Sequence, residues 1–597
     1  MVSNKINGNI KVGKVYFVFF NRLVLNEVSI TDKESATGTV KDTLLSCDKL
    51  SVTLSPMELL KGNIKLNSVS LSDGIFNLQN EGVGMSNLKR ILGLGKKQKD
   101  TTNKRSINLL ANSLKLKNFR FVMQNPRNYR DRGPYCMNFA DLNVKDININ
   151  INSISLERDT LRANIKNISA KEKCGFNLKH LEGLLQVTAH EAKIKNLRIE
   201  DDFSNIPAEY FSMSFNTTED FSDFVNKVRL GIDLQNAYIN FKTIGKFAPS
   251  LANSSLAFYV NGEATGRINN LKADSLEVTS ESGHTFLRLK AHLSGLPDVP
   301  STMASIKIED CYTMPGDIAD IIASINNTPK IPFLTQLTPA VRYNFTADLT
   351  GLLYDFAVKG KLTSSVGTVD MDILMDASPE QRKNGLKLDG YVKTHELDLG
   401  KILNNKMLGA VTLNGNIQSL FKSEEMGGMN VNLKMLNVSK LGFNRYVYRN
   451  IIATGLYNSK LFDGKIICHD PNLDFIFQGL FSFDRTKNSR YDFYMDMPYA
   501  NLHALNIDKR DTVSEVSLLT TAKFTRTPMG DINGTIKVKN PYFRNSKGGF
   551  DLGDITLESV METNNYNSKF KSQFMNAQYA GNIEISTFIS DFITSTI

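Results

Sequence analysis

Tryptophan is absent from this chain, proline is limited to 16 of 597 residues, and there are only five cysteines. Cys47, Cys136, Cys174, Cys311 and Cys468 lie far apart, form no CxxC pair and are odd in number. They describe neither a disulfide framework nor a zinc site, and read as small buried hydrophobes that leave the redox compartment open. Long apolar runs are missing too. The greasiest early run, Val15-Tyr16-Phe17-Val18-Phe19-Phe20, is far short of the roughly 20 residues that a membrane helix needs. The opening residues, with Asn, Lys and Gly interspersed, lack the layout of a signal peptide. The expectation is a cytoplasmic chain, or one that begins downstream of an anchor.

Concentrated charge is lacking as well. Lys and Arg number 71 against 61 Asp and Glu, and this net +10 is spread along the chain. Such a mild bias suits weak attraction to anionic surfaces, membranes included. No basic cluster with aromatic stacking platforms occurs, so no nucleic-acid partner is expected. The densest basic stretch, Lys96-Lys97-Gln98-Lys99-Asp100 to Lys104-Arg105, reads as a solvated linker.

Catalytic constellations are the last shortage. The seven histidines (His180, His190, His284, His292, His395, His469, His503) show no HExxH or other metal spacing. His190-Glu191 are adjacent, but neighbours on a strand face opposite ways. Gly93-Leu94-Gly95-Lys96-Lys97 lacks the spacing of a phosphate loop and follows a helical pattern, not a strand. Asp370, Asp372 and Asp376 suggest a metal cluster, yet Asp370 and Asp372 alternate with Met371 and Ile373, so a solvated strand face explains them. No nucleophile elbow, triad order or dinucleotide fingerprint is present. The chain is not read as an enzyme, and no cofactor or metal is expected.

What is present is one phrase that returns. It reads Leu114-Lys115-Leu116-Lys117-Asn118-Phe119-Arg120-Phe121, then Ala192-Lys193-Ile194-Lys195-Asn196-Leu197-Arg198-Ile199. Shorter forms stand at Leu25 to Ile30, Ile64 to Val69, Ile165 to Ile168 and Ile536 to Asn540. Strict alternation marks a strand with one apolar and one wet face. Asn sits where the alternation slips by one residue, which predicts a bulge or tight turn, because Asn tolerates left-handed backbone.

From Ile6 to Leu78 the pattern predicts strands over Ile10–Phe20, Leu23–Thr31, Asp48–Leu54, Ile64–Leu71 and Gly74–Leu78. A helix follows, with Met85, Leu88, Ile91 and Leu92 on one face, Ser86 as cap and Gly93 as its end. Short one-faced helices are predicted over Thr218–Val228, Asp317–Ile325 and Leu399–Met407. After Val341 the strands lengthen, and Gly390, Gly409, Gly415, Gly479 and Gly534 read as strand starts that ease the turns of a meander. The predicted architecture is mainly β: a long, continuous, curled antiparallel sheet forming a U-shaped groove of repeating units, with a few short amphipathic helices. Its predicted divisions are 1–95, a β unit with a short helix; 96–106, the basic linker; 107–340, groove with short helices; and 341–597, groove of longer strands.

One-faced strands must bury that face against something, and helical cover is scarce. A sheet curled into a trough offers its floor to acyl chains, each buried methylene contributing roughly 0.8 kcal/mol. At about 4.8 Å per strand, some thirty-five strands give a trough on the order of 150 Å long. The candidate floor residues are Leu114, Leu116, Phe119, Phe121, Tyr343, Phe345, Phe356, Val358, Met371 and Ile373.

The block Leu25-Asn26-Glu27-Val28-Ser29-Ile30-Thr31-Asp32, with Asp42-Thr43-Leu44-Leu45-Ser46-Cys47-Asp48, resembles the N-terminal region of AsmA-like proteins, especially the TamB-like branch. Leu59-Leu60-Lys61-Gly62-Asn63-Ile64, Val69 to Gly74 and Ser86-Asn87-Leu88 continue the resemblance. So do Leu397 to Leu403, Leu408 to Gly415, and Asp463 to Gly479. The likeness is one of pattern over most of the chain, strongest in its first hundred residues. It implies a protein of the Gram-negative cell envelope, inner-membrane anchored and extending through the periplasm. It further implies phospholipid carried between inner and outer membrane and, in the TamB branch, outer-membrane protein assembly with a barrel partner. The family's anchor helix and C-terminal domain are expected to lie outside this chain, which stops in mid-pattern at Ser586-Thr587-Phe588-Ile589. Two functions follow: a lipid-conducting groove, or a periplasmic scaffold whose sheet edges pair with client strands. An adhesin-like solenoid needs exposed aromatic rows or paired carboxylates, which the sequence does not display.

Overall fold

The computed structural model describes residues 8–19, 21–32, 43–60, 65–79, 86–91, 111–126, 129, 131, 133–248, 254, 256–326, 341–376, 378, 385–421, 429–458, 460–484, 486, 488–528, 531–562 and 565–582. The predicted linker 96–106 and the segment Ser586 to Ile589 lie outside them. Thirty-four strands occur among the described residues, against six short α-helices. The backbone groups into two units, Met1–Pro297 with Asp317–Ile331, and Asp298–Gly316 with Pro332–Ile597. Each is a long sheet in which strands pair with their neighbours in the sequence.

In the first unit the order begins β1 (Gly8–Lys11), β2 (Lys14–Val18), β3 (Arg22–Asp32), β4 (Thr43–Leu54), β5 (Leu66–Gln79), β6 (Ser113–Gln124), β7 (Asp141–Glu157) and β8 (Thr160–Glu172). The predicted strand Ile10–Phe20 is thus two short strands parted at Val12-Gly13. Both lie on one edge of β3, β1 opposite Asp32 to Ser29 and β2 opposite Asn26 to Arg22. β4 takes the other edge.

The two strands predicted at Ile64–Leu71 and Gly74–Leu78 are one, β5, because Asp73 takes a left-handed conformation (φ 54°) and lets the strand continue through its slip. The antiparallel expectation also needs one correction: β5 and β6 run parallel, Leu71 opposite Leu116 and Phe76 opposite Phe121. The connection between them is long and carries a helix, which is what a parallel crossover requires.

The helices are short, since their sequences offer a single turn or two of apolar residues. α1 (Pro56–Leu60) is one that the apolar pattern did not reveal. α2 (Asn87–Ile91) starts where Ser86 was expected to cap, and the Ser86 hydroxyl accepts from the Lys89 amide at 3.3 Å. Asn87 pins it to β5, donating to the Asn77 carbonyl at 2.8 Å. Arg90 reaches Asp32 at 2.9 Å, an ion pair whose Asp32 side chain is only 2% exposed.

The predicted helix over Thr218–Val228 is a 3₁₀ stretch, Thr218–Asp223, that runs into α3 (Phe224–Lys227). α4 (Phe241–Gly245) was not anticipated; its start is capped by the Asn240 side chain, which accepts from Lys242 N at 2.9 Å. α5 (Pro315–Asn326) and α6 (Leu399–Ile402) match the two remaining helices, α6 ending well before Met407.

In three of the phrases the recurring Asn is left-handed, as the sequence predicts, whereas Asn67 and Asn167 in the shorter forms are not. Asn118, Asn196 and Asn540 have φ of 53°, 49° and 46°, each beside a shift in strand register. At the phrase Leu25 to Ile30 the left-handed residue is Glu27 (φ 55°). These slips line up. On four successive strands the apolar face skips two residues at one level: Leu25 to Val28, Leu50 to Cys47, Leu71 to Gly74, and Leu116 to Phe119. The Asn118 side chain donates to Asp73 at 2.8 Å and ties two of them together. Such a crease adds twist and bend to a sheet.

Candidate functional site

The strand pairings turn alternation along each strand into rows across each sheet. In the first unit Leu25, Leu50, Leu71, Leu116, Ile149 and Ile168 stand in one row. Leu23, Val52, Val69, Leu114, Ile151 and Ile165 form the row beside it. Further along, Ala163, Leu185, Ile194, Phe211, Ile232, Ala264, Ala273 and Ala291 carry the apolar face on.

The second unit holds a longer row. It runs Ile306, Leu349, Val358, Ile373, Gly390, Ile417, Leu433, Gly455, Gly464, Gly479, Phe493, Ala522, Ile536, Leu557 and Phe570. No charged residue interrupts it. With strands about 4.8 Å apart, the band in this unit is about 70 Å long.

All ten predicted floor residues lie on these faces. Leu114, Leu116, Phe119 and Phe121 share the face of β6 that meets Ile151, Ile149, Ile147 and Val144 of β7. Phe121 stacks with Phe76 at 6.0 Å between ring centroids. In the second unit Phe345 pairs with Leu362, Val358 with Ile373, Phe356 with Met375, and Met371 with Gly360.

Their burial divides them. Phe119, Tyr343 and Val358 are buried, at 5%, 6% and 5% exposure, and the other seven are half-buried. Phe119 belongs to a local core with Val28 and Cys47. Tyr343 is sealed beneath α6 by Val341, Val366 and Ile402. Its hydroxyl finds no partner among the described residues, and burial pushes its pKa up. These two are packing residues. The six members of the Leu25–Ile168 row are all half-buried, as are Leu349, Ile373, Ile417 and Leu433. A face sandwiched under a second sheet of side chains would bury most such residues outright.

Glycine corrects another expectation. Gly390, Gly415 and Gly479 stand inside strands, not at their starts. Gly455, Gly464 and Gly479 face one another across three strands. A Cβ on Gly464 would lie 2.2 Å from the Thr454 carbonyl and 2.8 Å from the Phe462 ring, so neighbouring backbone and rings already fill that space. Phe477, Phe481, Tyr491, Phe493 and Phe524 continue the ring cluster, with centroids 4.5 to 6.3 Å apart. This aromatic stretch of the band was not anticipated; its signal is the phenylalanine density between Phe462 and Phe524.

The opposite face is wet and charged. Lys307, Asp348, Lys359 and Asp372 alternate in sign across four strands, and Asp370 lies between Lys361 and Lys393. Opposite charges set directly across strands favour this register. They border a shallow cleft of about 760 Å³. Asp370 and Asp372 therefore sit on a solvated strand face, and no metal-holding group of side chains occurs among the described residues. Cys468 lies on the apolar side, fully buried between Ile451 and Phe475, and burial pushes its thiol up to about 11. No helix among the described residues is long and apolar enough to cross a membrane. Compared with known proteins, the chain matches no family model, no curated protein and no solved structure.

Proposed function

We propose that this chain is a bridge-like lipid-transfer protein of the cell envelope, whose apolar sheet face carries phospholipid acyl chains between inner and outer membrane. One observation supports the reading above others: apolar rows pass from strand to strand without a charged residue while most of their members stay half-open to solvent. A face of that kind lowers its free energy by taking up hydrocarbon, about 25 cal/mol for each Å² covered. Because no charged residue interrupts the row, an acyl chain shifted by one strand meets another apolar surface and is not held at one point. The AsmA-like and TamB-like resemblance of the N-terminal region implies the same function and the periplasmic setting. Native mass spectrometry with lipid extraction tests it on chain purified from bacterial lysate. Several phospholipids per chain are expected; a stable, lipid-free monomer refutes it.

A second reading, a periplasmic scaffold for outer-membrane protein assembly, is favoured by the edge of β1 and β2. That edge pairs with no other strand among the described residues. Such an edge is a template for a client strand. Site-specific crosslinking from residues 8–18 to a client barrel strand, with no lipid bound, is its signature.

A further inference from the structure

Past Lys14 at its start, neither face of the strand β2 carries a charged side chain. Val15 and Phe17 are 59% and 63% exposed on one side, Tyr16 is 42% exposed on the other, and Phe19 in the following turn is 87% exposed. Elsewhere in the first unit the rows that these residues extend are half-buried, apart from the buried Ile165 at the far end of one of them. Val15 pairs with Leu25 and Phe17 with Leu23, so the two longest rows of β3–β8 run out to this edge and end there uncovered. Around them stand the exposed cations Lys11, Lys14 and Arg22, with Glu27 the facing acid near Gly13.

An aqueous strand normally keeps polar side chains on at least one face. Aromatic and aliphatic groups on both faces, ringed by cations, match the boundary between the headgroups and hydrocarbon of an anionic bilayer. We infer that β2 and the Phe19 turn dip into the surface of an anionic phospholipid membrane, docking the sheet there and bringing the end of the apolar band to the lipid. The inference rests on the reading of that band as an acyl-chain path. A second copy of this chain seated on the same edge is the competing occupant.

The chain contains no tryptophan, so Phe17→Trp supplies a sole indole without removing apolar surface. The full chain is titrated with vesicles of phosphatidylethanolamine and phosphatidylglycerol, and with phosphatidylcholine alone. On the anionic vesicles the emission is expected to shift to the blue and to be quenched by lipids brominated near the headgroup end. V15S/F17S/F19S is expected to weaken vesicle binding about 100-fold, and F17L/F19L to retain it. K11Q/K14Q is expected to weaken binding to the anionic vesicles about thirtyfold and to leave phosphatidylcholine binding unchanged.

An unshifted Phe17→Trp emission, or serine variants that bind as the parent does, overturns the inference. So does a blue shift that depends on protein concentration without vesicles, which marks a second copy on the edge. Should the serine variant not fold, the Phe17→Trp result decides alone. Lipid co-extraction from the same preparations separates the two claims. Protein that carries lipid yet ignores vesicles overturns the docking only. Protein that docks but carries no lipid upholds the docking and removes the acyl-chain path.

Discussion

Carboxylates set across the band should stop lipid passage, and the second unit shows where to place them. Leu349, Ile373 and Ile417 belong to one row and are half-buried, whereas Val358 between the first two is buried and is best left alone. An aspartate at the centre of a hydrocarbon layer costs about 2.5–3.5 kcal/mol. At half-open positions the carboxylate keeps part of its hydration, and about half of that cost, roughly 1.5 kcal/mol, falls on an acyl chain passing it. An acyl chain lying over all three at once meets about 4.5 kcal/mol, which slows transfer about 2,000-fold.

The assay is transfer of a fluorescent phospholipid from donor to acceptor vesicles, with circular dichroism confirming the folded sheet. Two controls fix the interpretation. Methionine at the same three positions keeps the band apolar and should keep the rate. Leu374→Asp adds a carboxylate next to Ile373 but on the other face, where Leu374 is 60% exposed and pairs with Ala357 and Asp389; facing Asp389 it costs some stability, but it should leave the transfer rate unchanged. A folded triple aspartate variant that transfers lipid at the parent rate refutes the acyl-chain path.

Three further outcomes follow from single residues. Asn118→Ala and Asn118→Gly both lose the bond to Asp73, but the alanine variant, at a φ of 53°, should be about 1–2 kcal/mol less stable than the glycine variant in urea unfolding. Tyr343→Phe removes a buried hydroxyl that has no partner among the described residues and should raise stability by about 1 kcal/mol in the same measurement. The thiol of Cys468 is held at about 11 when folded against an ordinary 9.0. The folded state therefore keeps a proton that the unfolded state releases, so stability should fall as pH rises from about 9 to 11 and be flat below; urea midpoints across that range, compared with those of Cys468→Ala, read the slope.

Strand alternation was legible in the sequence because one face of each strand is apolar and the other wet, so the period of two survives in the residues themselves. The slips were legible for the same reason: an Asn between two alternating halves, as at Asn118 and Asn196, announces a left-handed residue. Glu27 was not, since Glu has no preference for that conformation; only its alignment with Asp73 and Asn118 across the sheet explains it. The parallel pairing of β5 and β6 left no trace in either strand, because strand direction is set by the connection. Glycines misled. Gly479 reads as a strand start in the sequence, and only the register reveals that it answers Gly464 across the ladder. Of the ten floor residues, all fell on the apolar face because alternation specifies the face. Alternation says nothing of cover, so the sequence, which announces the helix at Leu399, does not place it over Tyr343.

The burial of the band bears on which of the two functions the sheet serves. A scaffold that acts through its edges gains nothing from leaving its face half-open, and each uncovered leucine or isoleucine then carries a standing cost in water and a risk of aggregation. A conduit requires that state, since a face packed to native density by its own side chains leaves no place for an acyl chain. Two of the three buried floor residues sharpen the contrast. Phe119 and Tyr343 are closed by specific partners, Val28 and Cys47 in one case and α6 in the other, so this chain does cover apolar residues where packing serves the fold. That Leu349, Ile373, Ile417 and Leu433 receive no such cover, in a chain that makes it elsewhere, is why the acyl-chain path is preferred to the edge scaffold.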